Sequence, residues 1–317
     1  MPADDVAALV AGAVEGHPRA VARLISLVED RSPKLREVSA ALASTAGRSH
    51  VVGITGSPGV GKSTSTSALV GALRAAGRRV GVLAVDPTSP FTGGALLGDR
   101  IRMQDHATDP GVYIRSMASR GHLGGLSASA PQALRVFDAA GCDVVLVETV
   151  GVGQSEIEIA GIADTTLVLL APGMGDGIQA AKAGILEIGD IFCVNKADRD
   201  GANSTRRELR SVLSMTGGDG GGRWKPSIVM TVATTGQGVE ELVARIDAHR
   251  EHLAASGELD RRRLARARRE IEALALTEVQ ERFAHLSGHA DLDDLARQVV
   301  EGGTDPFAAA DRLVQGL

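Results

Sequence analysis

Apolar residues recur at helical spacing through residues 3–47: Val6, Leu9, Val10 and Val14, then Val21, Leu24, Ile25, Leu27 and Val28, then Leu35, Val38 and Leu42. Stripes three and four residues apart predict a small helical preface. At His50 the pattern changes. Seven short apolar runs follow, rich in β-branched residues, at 51–55, 80–85, 112–115, 144–147, 166–170, 191–194 and 228–232, with helical stretches between them. This alternation predicts an α/β fold, a mostly parallel sheet covered by helices on both faces. Such sheets bind ligands at the carboxyl ends of their strands. The glycine-rich stretch from Gly217 to Gly222 reads as a surface loop. Beyond about residue 253 no strand pattern returns; residues 258–286 read as one long helix, and shorter ones are expected near 291–300 and 305–315. The expected organisation is an N-terminal helical extension over 1–48, a central α/β domain over 49–253 and a C-terminal helical segment over 254–317.

Composition narrows the classes of function. With 317 residues, 44% of them apolar and 23% charged, the chain can bury a substantial core. Aromatics are only 2%, which argues against a base-stacking platform for single-stranded nucleic acid. A net charge of -5 gives no general attraction to phosphate backbones, so nucleic acid is not an expected partner. Cys142 and Cys193 stand 51 residues apart in apolar runs, a spacing that suits neither a zinc site nor a disulfide framework, and they read as buried thiols. No apolar run approaches 18 residues and no basic leader opens the sequence, so a cytoplasmic protein without a membrane span is expected. Residues 261–269 hold six arginines. Because residues 251–317 carry thirteen acids against nine bases, this run reads as a solvated helix face or a subunit contact.

The chemistry concentrates after the first predicted strand. Gly56-Ser57-Pro58-Gly59-Val60-Gly61-Lys62-Ser63-Thr64 lies between a strand and a helix, the context of a phosphate-binding loop. Glycines let backbone N–H groups turn inward around a polyphosphate and the helix N-terminus adds its positive end. Lys62 reaches the terminal phosphates, and Ser63 offers an oxygen to Mg2+. The fold class is therefore that of the P-loop NTPases. Asn195-Lys196-Ala197-Asp198 follows the run 191–194 and so lies on the ligand side of the sheet. A carboxylate there accepts from both N1–H and the exocyclic amine of guanine, a donor pair that adenine lacks, so Asp198 selects guanine. Buried, that charge would be left unmatched by the wrong base. Val232-Ala233-Thr234 ends the next run, where the Ala233 N–H is placed to meet guanine O6. Between these, the run 144–147 ends at Glu148, and Gly151 follows at a spacing suited to sensing a γ-phosphate.

Glu148, where most GTP switches place Asp, and the companion run Val85-Asp86-Pro87-Thr88-Ser89 resemble the MeaB/ArgK-type GTPases, which escort adenosylcobalamin-dependent methylmalonyl-CoA mutase. The resemblance covers nearly the whole chain and is strongest at 56–64, 86–103, 115–127, 148–156 and 175–198. It implies GTP/GDP and Mg2+ as ligands, with Ser63, Asp86, Asp99 and Glu148 as the metal set. It further implies switches at 86–99 and 151–158, and a third at 176–182 facing the mutase, with Gln179 and Lys182 as contacts. A homodimer through the C-terminal helices is implied as well. Lys62, Glu148 and Gln154 are the catalytic candidates, Gln154 as the residue orienting water. Intrinsic turnover should be slow unless a partner completes the site. The expected function is a Mg2+-dependent GTPase that gates cofactor loading of an acyl-CoA mutase. The rivals are a metallochaperone GTPase, an ATP-using kinase or transport-associated ATPase, and an adaptor that binds nucleotide without turnover.

Overall fold

Strands form at all seven places where the apolar runs predict them. The computed structural model describes residues 5–30, 32–45, 47–86, 103–118, 129–149, 158–173, 184–216, 223–282 and 290–315. Three helices come first, α1 (Val6–Val14), α2 (Pro18–Glu29) and α3 (Leu35–Leu42). Asp5 caps α1 by accepting from the Ala8 N–H, and Pro18 opens α2 where no amide donor is needed. Then follow β1 (His50–Thr55), α4 (Lys62–Ala75), β2 (Val80–Asp86), β3 (Val112–Ala118), α5 (Ala130–Ala139), β4 (Val144–Thr149) and β5 (Thr165–Leu170). The one-turn α6 (Ile185–Ile188), β6 (Ile191–Val194), α7 (Ala202–Thr216), β7 (Ser227–Met230) and α8 (Val239–Ser256) come next. The chain closes with α9 (Glu258–Arg282), α10 (Ala290–Val300) and α11 (Pro306–Gln315).

The sheet is parallel throughout, in the order β3-β2-β4-β1-β5-β6-β7. From β1 the chain runs outward to the β3 edge, returns to β4 beside β1, then crosses to β5 on the other side. The loop after β1 therefore lies where the strand order reverses, the place at which open α/β sheets bind ligands. Both faces are covered. Val51, Val145 and Val147 join a core with α2 and α5, whereas the alternate residues Val52, Ile54, Val144 and Leu146 join one with α4 and α8. The helical preface is thus a layer of the core, entering it through Val21, Leu24, Ile25 and Val28. Several strand ends differ from expectation: β3 and β4 run on to Ala118 and Thr149, and β7 ends at Met230, because Thr231 and Ala233 turn toward Asn195 and Val232 bridges back to Gln237.

The described chain divides into two compact units, residues 1–266 and 267–317. In the second, α10 and α11 pack together, with Leu295 and Ala309 buried.

Three of the six arginines at the start of α9 do not form a simple solvated face but hold acids elsewhere in the chain. Arg263 and Arg266 hold Asp164, at 3.0 and 3.2 Å, and Arg262 holds both oxygens of Asp190 at 2.9 Å. The same guanidiniums donate to the carbonyls of Gly47, Ser49 and Ile162. Spaced one and four residues apart, they share one side of the helix. The two aspartates lie at the amino ends of β5 and β6, the far end of the sheet from the phosphate loop, where they flank a second buried polar group. Thr165 Oγ1 bridges His50 Nε2 and His249 Nδ1, each at 2.7 Å.

Candidate nucleotide site

The phosphate loop joins β1 to α4 at the centre of the sheet. Gly56 (φ +142°) and Gly61 (φ +95°) hold backbone angles that disfavour side chains, and each lies against a neighbour. A Cβ on Gly56 would overlap the Leu169 carbonyl, and one on Gly61 would stand 2.5 Å from Asn195 Nδ2. Gly61 caps α4 without a side chain, so the first-turn amides, including those of Lys62, Ser63 and Thr64, point into the loop. Lys62 is 8% exposed and its Nζ donates to the carbonyls of Gly56 at 2.6 Å and Ser57 at 3.2 Å. Val60 is buried, whereas Pro58, Gly59 and Thr64 are exposed.

Glu148 pairs in register with Ile54 of β1 and Ala84 of β2, so the sheet brings its carboxylate beside the start of α4. There Ser63 Oγ donates to Glu148 Oε1 at 2.7 Å, with both residues buried. A hydroxyl and a carboxylate at contact distance make an oxygen-only donor set, which fits a hard divalent cation such as Mg2+. The backbone of Asp86 ends β2 opposite Ala118, at the same carboxyl edge of the sheet.

The second loop carries Asn195, Lys196 and Asp198. Asn195 Nδ2 donates to the Val60 carbonyl at 2.9 Å and Lys196 Nζ to that of Gly59 at 2.7 Å, tying this loop to the phosphate loop. Lys196 takes φ +57°, a left-handed turn that redirects the chain after β6. Asp198 is exposed rather than buried, so selection by an unmatched buried charge is not built in. A base stacked over the loop has to shield the carboxylate itself. The Ala233 N–H, expected to meet guanine O6, donates to Asn195 Oδ1 at 3.1 Å. Val232 is buried beside it and Thr234 is exposed.

The structure therefore brings the phosphate loop, Ser63, Glu148, Asn195, Lys196 and the 232–234 segment to one edge of the sheet. The model of the methylmalonyl Co-A mutase-associated GTPase family MeaB matches residues 21–287. The chain belongs to this family. A relative from Pyrococcus horikoshii is 48% identical over 311 residues, which cover 96% of this chain and 95% of that one. The mouse mitochondrial methylmalonic aciduria type A homolog is 33% identical over 327 residues, 98% of this chain and 79% of its own. A crystal structure of a protein named LAO/AO transport system kinase superposes with a TM-score of 0.70 at 26% identity, covering 99% of this chain and 98% of that one.

As a MeaB-family GTPase the chain is a guanine-nucleotide protein with a P-loop NTPase fold. Gly151, Gln154, Asp99, Gln179 and Lys182 lie outside the described residues, as do most of the three switch segments and Gly217–Gly222. His106 contacts Ser67 of α4 through Nε2, with Oγ at 3.2 Å, and so packs against the helix that follows the phosphate loop. Two residues that matter to the loop carry no obvious mark in the sequence. Thr231 looks like the end of an apolar strand run, and Cys193 like an ordinary buried thiol. The one signal is a hydroxyl next to 232–234, one strand away from Asn195. Among the described residues, no helix is long and apolar enough to cross a membrane.

Gly61→Ala should lower affinity for guanosine diphosphate by about 100-fold while leaving the fold intact, because the added methyl displaces Asn195 Nδ2 and needs a left-handed backbone. Calorimetric titration together with circular dichroism checks both halves of that expectation.

Proposed function

We propose that the chain is a Mg2+-dependent GTPase acting in the cytoplasm as a gatekeeper for an adenosylcobalamin-dependent acyl-CoA mutase, controlling cofactor loading and protecting the enzyme. The observation that carries the nucleotide part is the Asn195–Val60 hydrogen bond, which joins a base-selecting loop to a phosphate cradle in one site. The mutase part rests on the family's description and on the name of the mouse relative.

In this reading the inward amides of residues 56–64 and Lys62 hold the phosphates, while Gly151 senses the γ-phosphate. Asn195, Lys196 and Asp198 select guanine beside Val232, Ala233 and Thr234. Ser63 and Glu148, with Asp86 and Asp99, would hold Mg2+, which when bound neutralises charge on the phosphates. Lys62 stabilises charge developing on the transferred phosphoryl group, and Gln154 orients the attacking water. Intrinsic turnover is expected to be slow unless a partner or a second subunit completes the site. Nucleotide state then changes the affinity of the switches for the mutase, which meets Gln179 and Lys182. A homodimer through the C-terminal helices is part of the same reading, supported by exposed Ile271, Leu274, Leu276 and Val279 along α9.

The decisive experiment is a pull-down from native extract with guanosine diphosphate or a non-hydrolysable GTP analogue. Recovery of a B12 enzyme in one state only supports the gate, and recovery in neither removes it. The superposing crystal structure is named as a transport system kinase, which favours an ATP-using reading instead. Competition separates the two. GTP should displace a fluorescent guanine nucleotide at about 100-fold lower concentration than ATP, and Asp198→Asn should erase most of that difference. Equal displacement by the wild-type protein would remove Asp198 from its role.

A further inference from the structure

A chain of hydrogen bonds leads from the core of the sheet to the side-chain amide of Asn195. The Ala233 N–H donates to Asn195 Oδ1 at 3.1 Å, and Asn195 Nδ2 donates to the Val60 carbonyl at 2.9 Å. A backbone amide only donates and a carbonyl only accepts, so these two contacts fix which end of the side chain is oxygen. With Oδ1 an acceptor, the Thr231 hydroxyl at 3.2 Å must donate to it. That commits its single proton. The Cys193 thiol, 3.1 Å away, is therefore the donor to Thr231 Oγ1. The chain has one direction, from thiol to hydroxyl to amide oxygen, and from the other end of the amide to the phosphate loop. Relative exposures of 0% for Cys193, 1% for Thr231 and 3% for Asn195 leave little competition from water. Burial pushes the Cys193 thiol up to about 12, so sulfur keeps its proton at neutral pH.

We propose that Thr231, backed by Cys193, is a positioning residue for guanine selection: the two set the orientation of the Asn195 amide from below without touching the nucleotide. The proposal rests on the base-reading role given above to Asn195 and Asp198. Without the Thr231 hydroxyl the amide keeps one donor at Oδ1, and its rotated form, which sets oxygen against the Val60 carbonyl, becomes accessible. The phosphate cradle retains its other tie, Lys196 Nζ to Gly59, so the loss falls on the base.

The test uses the full chain and two probes, guanosine diphosphate and inorganic tripolyphosphate, which has no base. Thr231→Val should weaken the diphosphate about tenfold and leave tripolyphosphate within about twofold, while Thr231→Ser restores the wild-type value. Cys193→Ala should weaken the diphosphate about threefold and Cys193→Ser should not, because serine keeps a donor. Equal weakening of both probes, or an unchanged diphosphate affinity, overturns the proposal. If Thr231→Val does not fold, the cysteine pair decides, and equal affinities of its Ala and Ser forms overturn it too. Wild-type protein that fails to bind the diphosphate would instead refute the guanine reading itself, and this proposal with it.

Discussion

Lys62→Ala should lose guanine-nucleotide affinity by about 100- to 1,000-fold, the largest of the effects expected at the site and the one most directly set by its geometry. The ammonium is buried and held by the Gly56 and Ser57 carbonyls, so its charge is presented inside the loop at no further cost of ordering. Hydrogen bonds from a charged donor contribute about 1.5–3 kcal/mol each, and a polyphosphate deprived of its cation keeps only the amide dipoles. Two such interactions lost, each near the lower end of that range, correspond to the stated loss. Lys62→Arg should not restore binding, because a planar fork cannot occupy the path of a slender chain between residues 56 and 61. Titration calorimetry with guanosine diphosphate and magnesium measures the loss. The melting temperature without nucleotide controls for folding, since Lys62 also stitches the loop. Micromolar binding by the alanine variant would take the loop out of phosphate recognition. The adaptor reading predicts the same loss of binding but no phosphate release from the wild-type protein, so a turnover assay separates it from a GTPase.

The parts of this site that were legible in the sequence are those in which local chemistry dictates geometry. Glycines at 56, 59 and 61 followed by lysine and serine admit few uses between a strand and a helix, and the structure places them at the central crossover of the sheet. Seven apolar runs likewise became seven strands, because a sheet buried on both faces needs continuous apolar segments. What could not be read depends on which distant residues meet. Nothing local tells that Thr231 faces Asn195 across 36 residues, or that Arg262, Arg263 and Arg266 reach back to aspartates 72 to 102 positions away. Charge arithmetic over the tail pointed to a solvated arginine face. It erred because three of those arginines answer acids in another part of the chain. The helical preface was visible as helices, yet its function as a core layer packed on α5 and β3 was not, since a helix stripe does not name its partner.

Asp164→Ala should lower the melting temperature by about 10 °C, the largest stability effect expected outside the nucleotide site. Burial alone would raise the Asp164 pKa, but the hydrogen bond from Arg263, the charges of Arg266 and Arg263 and the Val51 amide hold it below the usual carboxylate range. Removing the carboxylate leaves the buried Val51 N–H without its side-chain acceptor and leaves two guanidiniums facing each other. Removal of one partner from a buried pair costs about 3–5 kcal/mol, and the backbone carbonyls that Arg263 and Arg266 also hold keep the loss near the lower end. The neighbouring histidines add a pH dependence of defined sign. Burial lowers His50 and His249 each to about 4, with Asp164 and Asp190 opposing that shift only in part. Their folded pKa lies below the unfolded value of about 6.5, so the unfolded chain takes up protons first. Stability should be level above about pH 6.5, fall as pH drops toward 4, and lose nothing more from this pair on further acidification; the Asp164 contribution is lost as pH falls through the ordinary carboxylate value of about 3.9 toward its lowered folded one. Trp224, the single tryptophan, lies against His249 with ring centroids 4.7 Å apart and the rings tilted by 53°, and against His252 at 5.4 Å, so its fluorescence reports protonation of these histidines while circular dichroism reports unfolding. Because Thr165 has one proton to share between two imidazoles, His249→Gln should shift the acid limb of the stability curve and leave its neutral plateau lower. A curve unchanged in both limbs would show that the two histidines titrate independently of folding.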